Sequence, residues 1–136
     1  MIKNKIYKIT SPEISEIKKE MIHDPSLFLV ELDGEKIHTW EEYIVQIERK
    51  FEFPTTCIDS MDRYLDWIRD LDWVEKDSFV IVIYNYNDFL SSELELKNKI
   101  INGFKDTILP FWEEEVERVV VVVEGKAKSF KVYLVE

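Results

Sequence analysis

The sequence predicts an α/β fold: a small, mostly parallel sheet packed by helices, with an added N-terminal helix and a C-terminal β-hairpin. Three observations carry this prediction. "SFVIVIY" at 78–84 and "RVVVVVE" at 118–124 are short, β-branched and apolar without alternation, as in strands covered on both faces. The segments before and between them repeat apolar residues at helical spacing. Strands that alternate with helices in this way join in parallel through crossovers.

Taken in order, "KIYKI" at 5–9 alternates weakly and is expected as a short edge strand. "SPEISEIKKEMIHDP" at 11–25 is expected to be a helix capped by Ser11, with Pro12 in its first turn, a face of Ile14, Ile17 and Met21, and an end at Pro25. "LFLVEL" at 27–32 reads as a strand and Asp33-Gly34 as a turn. In "TWEEYIVQIERKFEF" at 39–53, Thr39 and Glu42 stand at capping-box spacing. Trp40, Tyr43, Ile44, Ile47 and Phe51 form the apolar stripe of that helix. Pro54 ends it and 55–58 form a loop. "IDSMDRYLDWIRDLDW" at 58–73 reads as a second helix. "SSELELKNKIINGFKDTIL" at 91–109 reads as a long helix with Ser92 and Glu95 at capping-box spacing. "FKVYLV" at 130–135 is the expected antiparallel neighbour of 118–124 across the turn "EGKAKS".

With 136 residues, 46% apolar and 34% charged, the chain is expected to bury a single core. Three glycines and four prolines argue against long flexible loops. No run of about 18 apolar residues is present, so no membrane span is expected. The start "MIKNKIYKITSPE" lacks the apolar stretch of a signal peptide. Cys57 is the single cysteine, which excludes an internal disulfide and fits a reducing, cytoplasmic location. The net charge of −10 has the wrong sign for direct nucleic-acid binding; from charge alone it either serves only solubility or attracts a basic partner.

The acids of 58–73 are the most informative feature. On a helical wheel Asp59, Asp62, Asp66 and Asp70 fall within an arc of roughly 80°. Met61, Tyr64, Leu65, Ile68 and Leu71 occupy the opposite side. Asp62–Asp66 and Asp66–Asp70 are like-charge i,i+4 pairs, each unfavourable by about 0.2–0.5 kcal/mol. The helix N-terminus offsets part of this for Asp59 and Asp62, and Arg63 and Arg69 flank the row. Spacing leaves two readings open: a solvated acidic face, or an anion row that docks into a cationic cleft.

The stretch "LDGEKIHTWEEYIVQIERKFEFP", followed by a loop and "MDRYLDWI", resembles barstar, the family of intracellular inhibitors of the secreted ribonuclease barnase. "WVE" at 73–75 and "GFKDT" at 103–107 extend the likeness, which spans about residues 27–124 and is nearly gapless from Leu32 to Asp66. It implies a barstar-like domain at 27–136, with residues 1–26 as an N-terminal extension packing on it. The likeness also implies a partner-binding set. Asp62 and Asp66 match the acids of the inhibitory helix, Asp66 being the one that enters the ribonuclease's phosphate site. Asp59 matches an acid at the helix start, and Asp106 an acid at the end of the last helix, where the family has Glu. Thr56 and Ile58 of the loop, Trp67 beside Asp66, and Asp70 from the acidic row are added to these as candidate partner-binding residues. Thr56 stands where the family has an aromatic, Ile58 where it has glycine, and Leu65 where it has tryptophan, with Trp67 just past Asp66.

The function so implied is inhibition of a basic ribonuclease or related toxin by a monomeric immunity protein that mimics RNA phosphate. The alternative is a barstar-like module for a basic partner that is not a ribonuclease. Catalysis is not expected, nor is a cofactor or metal. His23 and His38 lie near predicted turns, Cys57 has no neighbouring base in sequence, and Ser60 lacks a nucleophile-elbow context. Glu13 and Glu48 are expected to be remote acids that do not take part.

Overall fold

A computed structural model of the chain describes residues 5–71, 73–110 and 129–136. Four strands are described: β1 (Lys5–Ile9), β2 (Leu27–Asp33), β3 (Ser78–Tyr84) and β4 (Ser129–Val135). They form one sheet in the order β1-β4-β3-β2, and every pairing is parallel. Leu27–Asp33 align with Ser78–Tyr84, Ser78–Ile83 with Ser129–Leu134, and Lys131–Val135 with Lys5–Ile9. Both edges of β4 therefore carry parallel partners, where the sequence predicts an antiparallel neighbour. A strand has two hydrogen-bonding edges, and here β1 and β3 use them. The other arm of the expected hairpin, 118–124, lies outside the described residues.

The two faces of the sheet have different covers. Helix α1 (Ser11–Met21) buries Ile14 and Met21 against Val80, Val82, Tyr133 and Val135. Residues 5–21 thus supply an edge strand and one covering layer. Lys18 fastens this helix by donating to Glu31 at 2.7 Å, and the Tyr84 hydroxyl donates to the same oxygen at 2.6 Å. Burial raises the Glu31 carboxyl, but these two bonds outweigh it and hold its pKa below the usual range.

The opposite face carries α2 (Trp40–Phe51), α3 (Met61–Ile68) and α4 (Leu94–Gly103), the last continuing into a π-helical turn at Phe104–Ile108. Ile44, Ile47, Phe51, Ile68, Ile100 and Phe104 close over Leu32, Phe79, Ile81 and Phe130. Each such side chain contributes about 1.5–3 kcal/mol by leaving water.

Local signals place the start of α2, while the starts of α1 and α4 need correction. Thr39 caps α2 as expected, accepting the Glu42 amide at 3.1 Å. The cap of α1 is Thr10, one residue before Ser11, because Thr10 and Glu13 complete a reciprocal capping box. Helix α4 begins at Leu94 after Glu93, and the Ser92–Glu95 box is not used. Burial decides this: Phe89 and Leu90 are enclosed in the core, and the Leu90 amide bonds Ile37 O at 3.0 Å, which winds 85–93 into turns instead.

Glu52 ends α2 in the left-handed region, at φ 55° and ψ 49°, with its side chain in solvent. That conformation costs a non-glycine residue about 1 kcal/mol, while glycine loosens the unfolded chain by about 0.5 kcal/mol. Glu52→Gly is therefore expected to stabilise the protein by about 0.5 kcal/mol, read as a higher midpoint in thermal melts. A lowered midpoint would contradict this account of the cap.

Beneath α2 and α3, the Tyr43 and Tyr64 hydroxyls meet at 2.6 Å with both rings buried, the ring planes at 76°. Burial pushes both phenols well above their ordinary pKa, so the contact is between neutral hydroxyls. Removing one leaves the other without its partner. Tyr43→Phe and Tyr64→Phe are each expected to cost about 1–2 kcal/mol, and the double variant much less than their sum. Urea unfolding of the four proteins measures this, and strictly additive costs would rule it out.

Candidate functional site

The acids predicted to share one helix divide into three groups. Helix α3 covers only Met61–Ile68, shorter than the predicted 58–73. Ser60 starts it, its Oγ accepting the Arg63 amide at 3.1 Å. Arg69 caps its C-terminus, and Leu71, two residues on, has φ 53° and a fully buried side chain. The apolar pattern runs on to Leu71, while the helix stops at Ile68. Asp62 and Asp66 therefore stand one turn apart on the exposed side of α3. Asp59 precedes the helix and Asp70 follows it, half-buried. Asp72 lies outside the described residues.

Two arginines moderate this row. Arg69 donates to Asp66 Oδ1 at 3.0 Å and to the Leu65 carbonyl at 3.0 Å. Arg63 lies 3.7 Å from Asp59 Oδ1. The Asp66 and Asp59 side chains remain 73% and 79% exposed, so water screens both pairs. Among the described residues Asp62 has no ion-pair partner. The exposed ridge is thus acidic, and Asp62 lies between two acids that each have an arginine beside them.

Beside the ridge, loop 55–58 is held by side chains of two helices. From α2, Glu48 accepts the Thr56 hydroxyl at 2.9 Å and also the Cys57 amide, and Trp40 Nε1 donates to Ile58 O at 2.6 Å. From α3, Arg63 donates to Thr56 O at 3.1 Å and Trp67 Nε1 donates to Thr55 Oγ1 at 2.9 Å. Cys57 points into the core, while Thr56 and Ile58 face solvent, Ile58 being 41% exposed. Trp67, expected to face a partner, is half-buried, with its ring edge-on to Trp73 at 5.4 Å.

Asp106 is exposed on the π-helical turn, and that turn packs against α3. Gly103, at the junction, faces Leu65: a Cβ there would meet Leu65 Cδ2 at 3.7 Å. Leu65 is thereby directed toward α4, not outward. His23 and His38 are exposed. Burial, with the Glu48 charge adding to it, pushes the Cys57 thiol up to about 11, which suppresses the thiolate a nucleophile needs. No cluster of three or more His, Cys, Asp or Glu placed to hold a metal occurs among the described residues.

Sequence reasoning located the ridge but missed the clamp. Glu48, expected to be a remote acid, holds the loop. Its signal was faint: it borders the apolar stripe of α2 beside Ile44 and Phe51, where a carboxylate can turn toward the following loop.

A family model described as Barstar (barnase inhibitor) matches residues 27–125. Comparison with curated proteins and with solved structures returns no match.

Proposed function

The chain belongs to the barstar family, and on that premise we propose that it inhibits a ribonuclease by inserting its acidic ridge into the enzyme's basic active-site cleft. The observation that carries this reading is the joint exposure of Asp59, Asp62 and Asp66 next to a fixed loop. A cleft that binds RNA holds arginines and lysines for phosphates. A carboxylate accepts the same paired hydrogen bonds from a guanidinium. The net charge of −10 speeds the encounter. On docking, Asp66 exchanges Arg69 for a cation of the enzyme. An exposed pair such as Asp66–Arg69 is worth about 0–1 kcal/mol, whereas a desolvated pair in a cleft holds more strongly, so the exchange favours the complex. Asp62 and Asp106 widen the charge match, Asp70 extends it, and Thr56 and Ile58 shut out substrate. The protein works in the cytoplasm as a monomer and carries out no chemistry itself.

The direct test is inhibition of barnase-type ribonucleases, together with ribonuclease assays on whatever the chain captures from its native host. A second reading has its own support. With Leu65 turned toward Gly103 and Ile58 exposed, the shape beside the acids differs from the family pattern of an aromatic, a glycine and a tryptophan. This favours a basic toxin other than a ribonuclease, and capture of a basic partner without ribonuclease activity would establish it.

A further inference from the structure

We propose that Glu48 is the positioning residue of the docking loop: with Trp40, Arg63 and Trp67, it sets residues 55–58 in their binding shape before any partner arrives. This rests on reading the ridge and loop as an inhibitory surface.

Each residue of the loop is tied to a helix by a side chain outside it. Thr55 is held by Trp67, Thr56 by Glu48 and Arg63, Cys57 by Glu48, and Ile58 by Trp40. Glu48 alone holds two adjacent residues, accepting from a hydroxyl and from a backbone amide. The loop contains no glycine and its anchor, Cys57, is fully buried. Arg63 joins the clamp to the ridge, since one guanidinium reaches both Thr56 O and Asp59. The loop and α3 are therefore tied together. A surface already ordered loses little conformational freedom on binding, so its complex dissociates slowly. The acid at 48 thus contributes through shape, unlike the acids of the ridge.

Two variants separate shape from charge. Glu48→Ala removes the charge and the acceptor. Glu48→Gln removes the charge and keeps the acceptor oxygen. In the free protein, hydrogen exchange at the Cys57 amide is expected to be protected in wild type and in Glu48→Gln. In Glu48→Ala it should quicken by about tenfold while β3 amides keep their protection. With barnase as the probe, the association rate should fall equally in both variants. The dissociation rate should rise, by about tenfold, in Glu48→Ala alone. An unprotected Cys57 amide in wild type, or identical behaviour of the two variants in exchange, overturns the proposal. If wild type does not bind barnase, it is the inhibitory reading for that enzyme that fails, and the exchange data still decide the role of Glu48.

Discussion

Asp66→Ala is expected to weaken the complex with a basic ribonuclease by about 2–5 kcal/mol, a range to which the barnase–barstar pair itself contributes. By the usual conversion that is roughly 30-fold to several-thousand-fold in the dissociation constant. The loss arises because a cation of the cleft, stripped of water by docking, is left without its partner. The free protein should barely notice the change. Asp66 is exposed, and its pair with Arg69 is a surface contact worth at most about 1 kcal/mol. Asp62→Ala belongs to the same class, since Asp62 stands one turn away on the same exposed side. The control is Glu20→Ala, an exposed acid on α1, which covers the other face of the sheet. That change alters net charge equally but should shift the dissociation constant less than about threefold, chiefly through association rate. Binding measured at several salt concentrations separates the two effects. Equal losses for Asp66→Ala and Glu20→Ala would mean that the charge total matters and the ridge does not.

Gly34→Ala is expected to be the most damaging small change to stability, costing about 3 kcal/mol. Backbone conformation is not the reason, because Gly34 has no positive φ. Space is. A Cβ at this position would lie 2.5 Å from Asn85 O, 2.7 Å from Tyr84 O and 2.9 Å from Phe89 Cβ. Two of those atoms belong to the backbone at the end of β3, and the third to a fully buried ring residue. None can move without parting β3 from β2 or lifting Phe89 out of the core. For a domain of this size, a fall in melting midpoint of roughly 10 °C follows. A thermal melt within 2 °C of wild type, as an order-of-magnitude criterion, would show that the turn yields more easily than its packing indicates.

The parts of the fold that were legible in advance share one property: their signals are local and repeated. The run at 78–84 is apolar at every step from Phe79 on, and the stripe of Trp40, Tyr43, Ile44, Ile47 and Phe51 states its period several times over. Thr39 caps the helix it precedes because a cap acts within one turn. Where the reading missed, a distant contact overrode a local preference. Leu71 continued the helical pattern and is buried as that pattern implies, yet it takes a left-handed conformation two residues past the Arg69 cap. Ser92 had the right spacing for a cap, but Phe89 and Leu90 had already set the path of the chain.

The candidate site divides along the same line. Asp62 and Asp66 were visible as an i,i+4 pair, and their exposure follows from the apolar side opposite them. Charge, helix period and family likeness were properties of the sequence alone, since each is read from neighbours a few residues apart or from residue order. Arg63 and Arg69 meet acids three or four residues away and were already visible beside the row. Which acids remain on α3, and how Glu48 and Trp40 seize a loop eight to eighteen residues away, were decided by tertiary structure alone. The physical reason is that a hydrogen bond or ion pair needs two groups within about 3–4 Å, and only the folded packing of α2 against α3 brings those groups together.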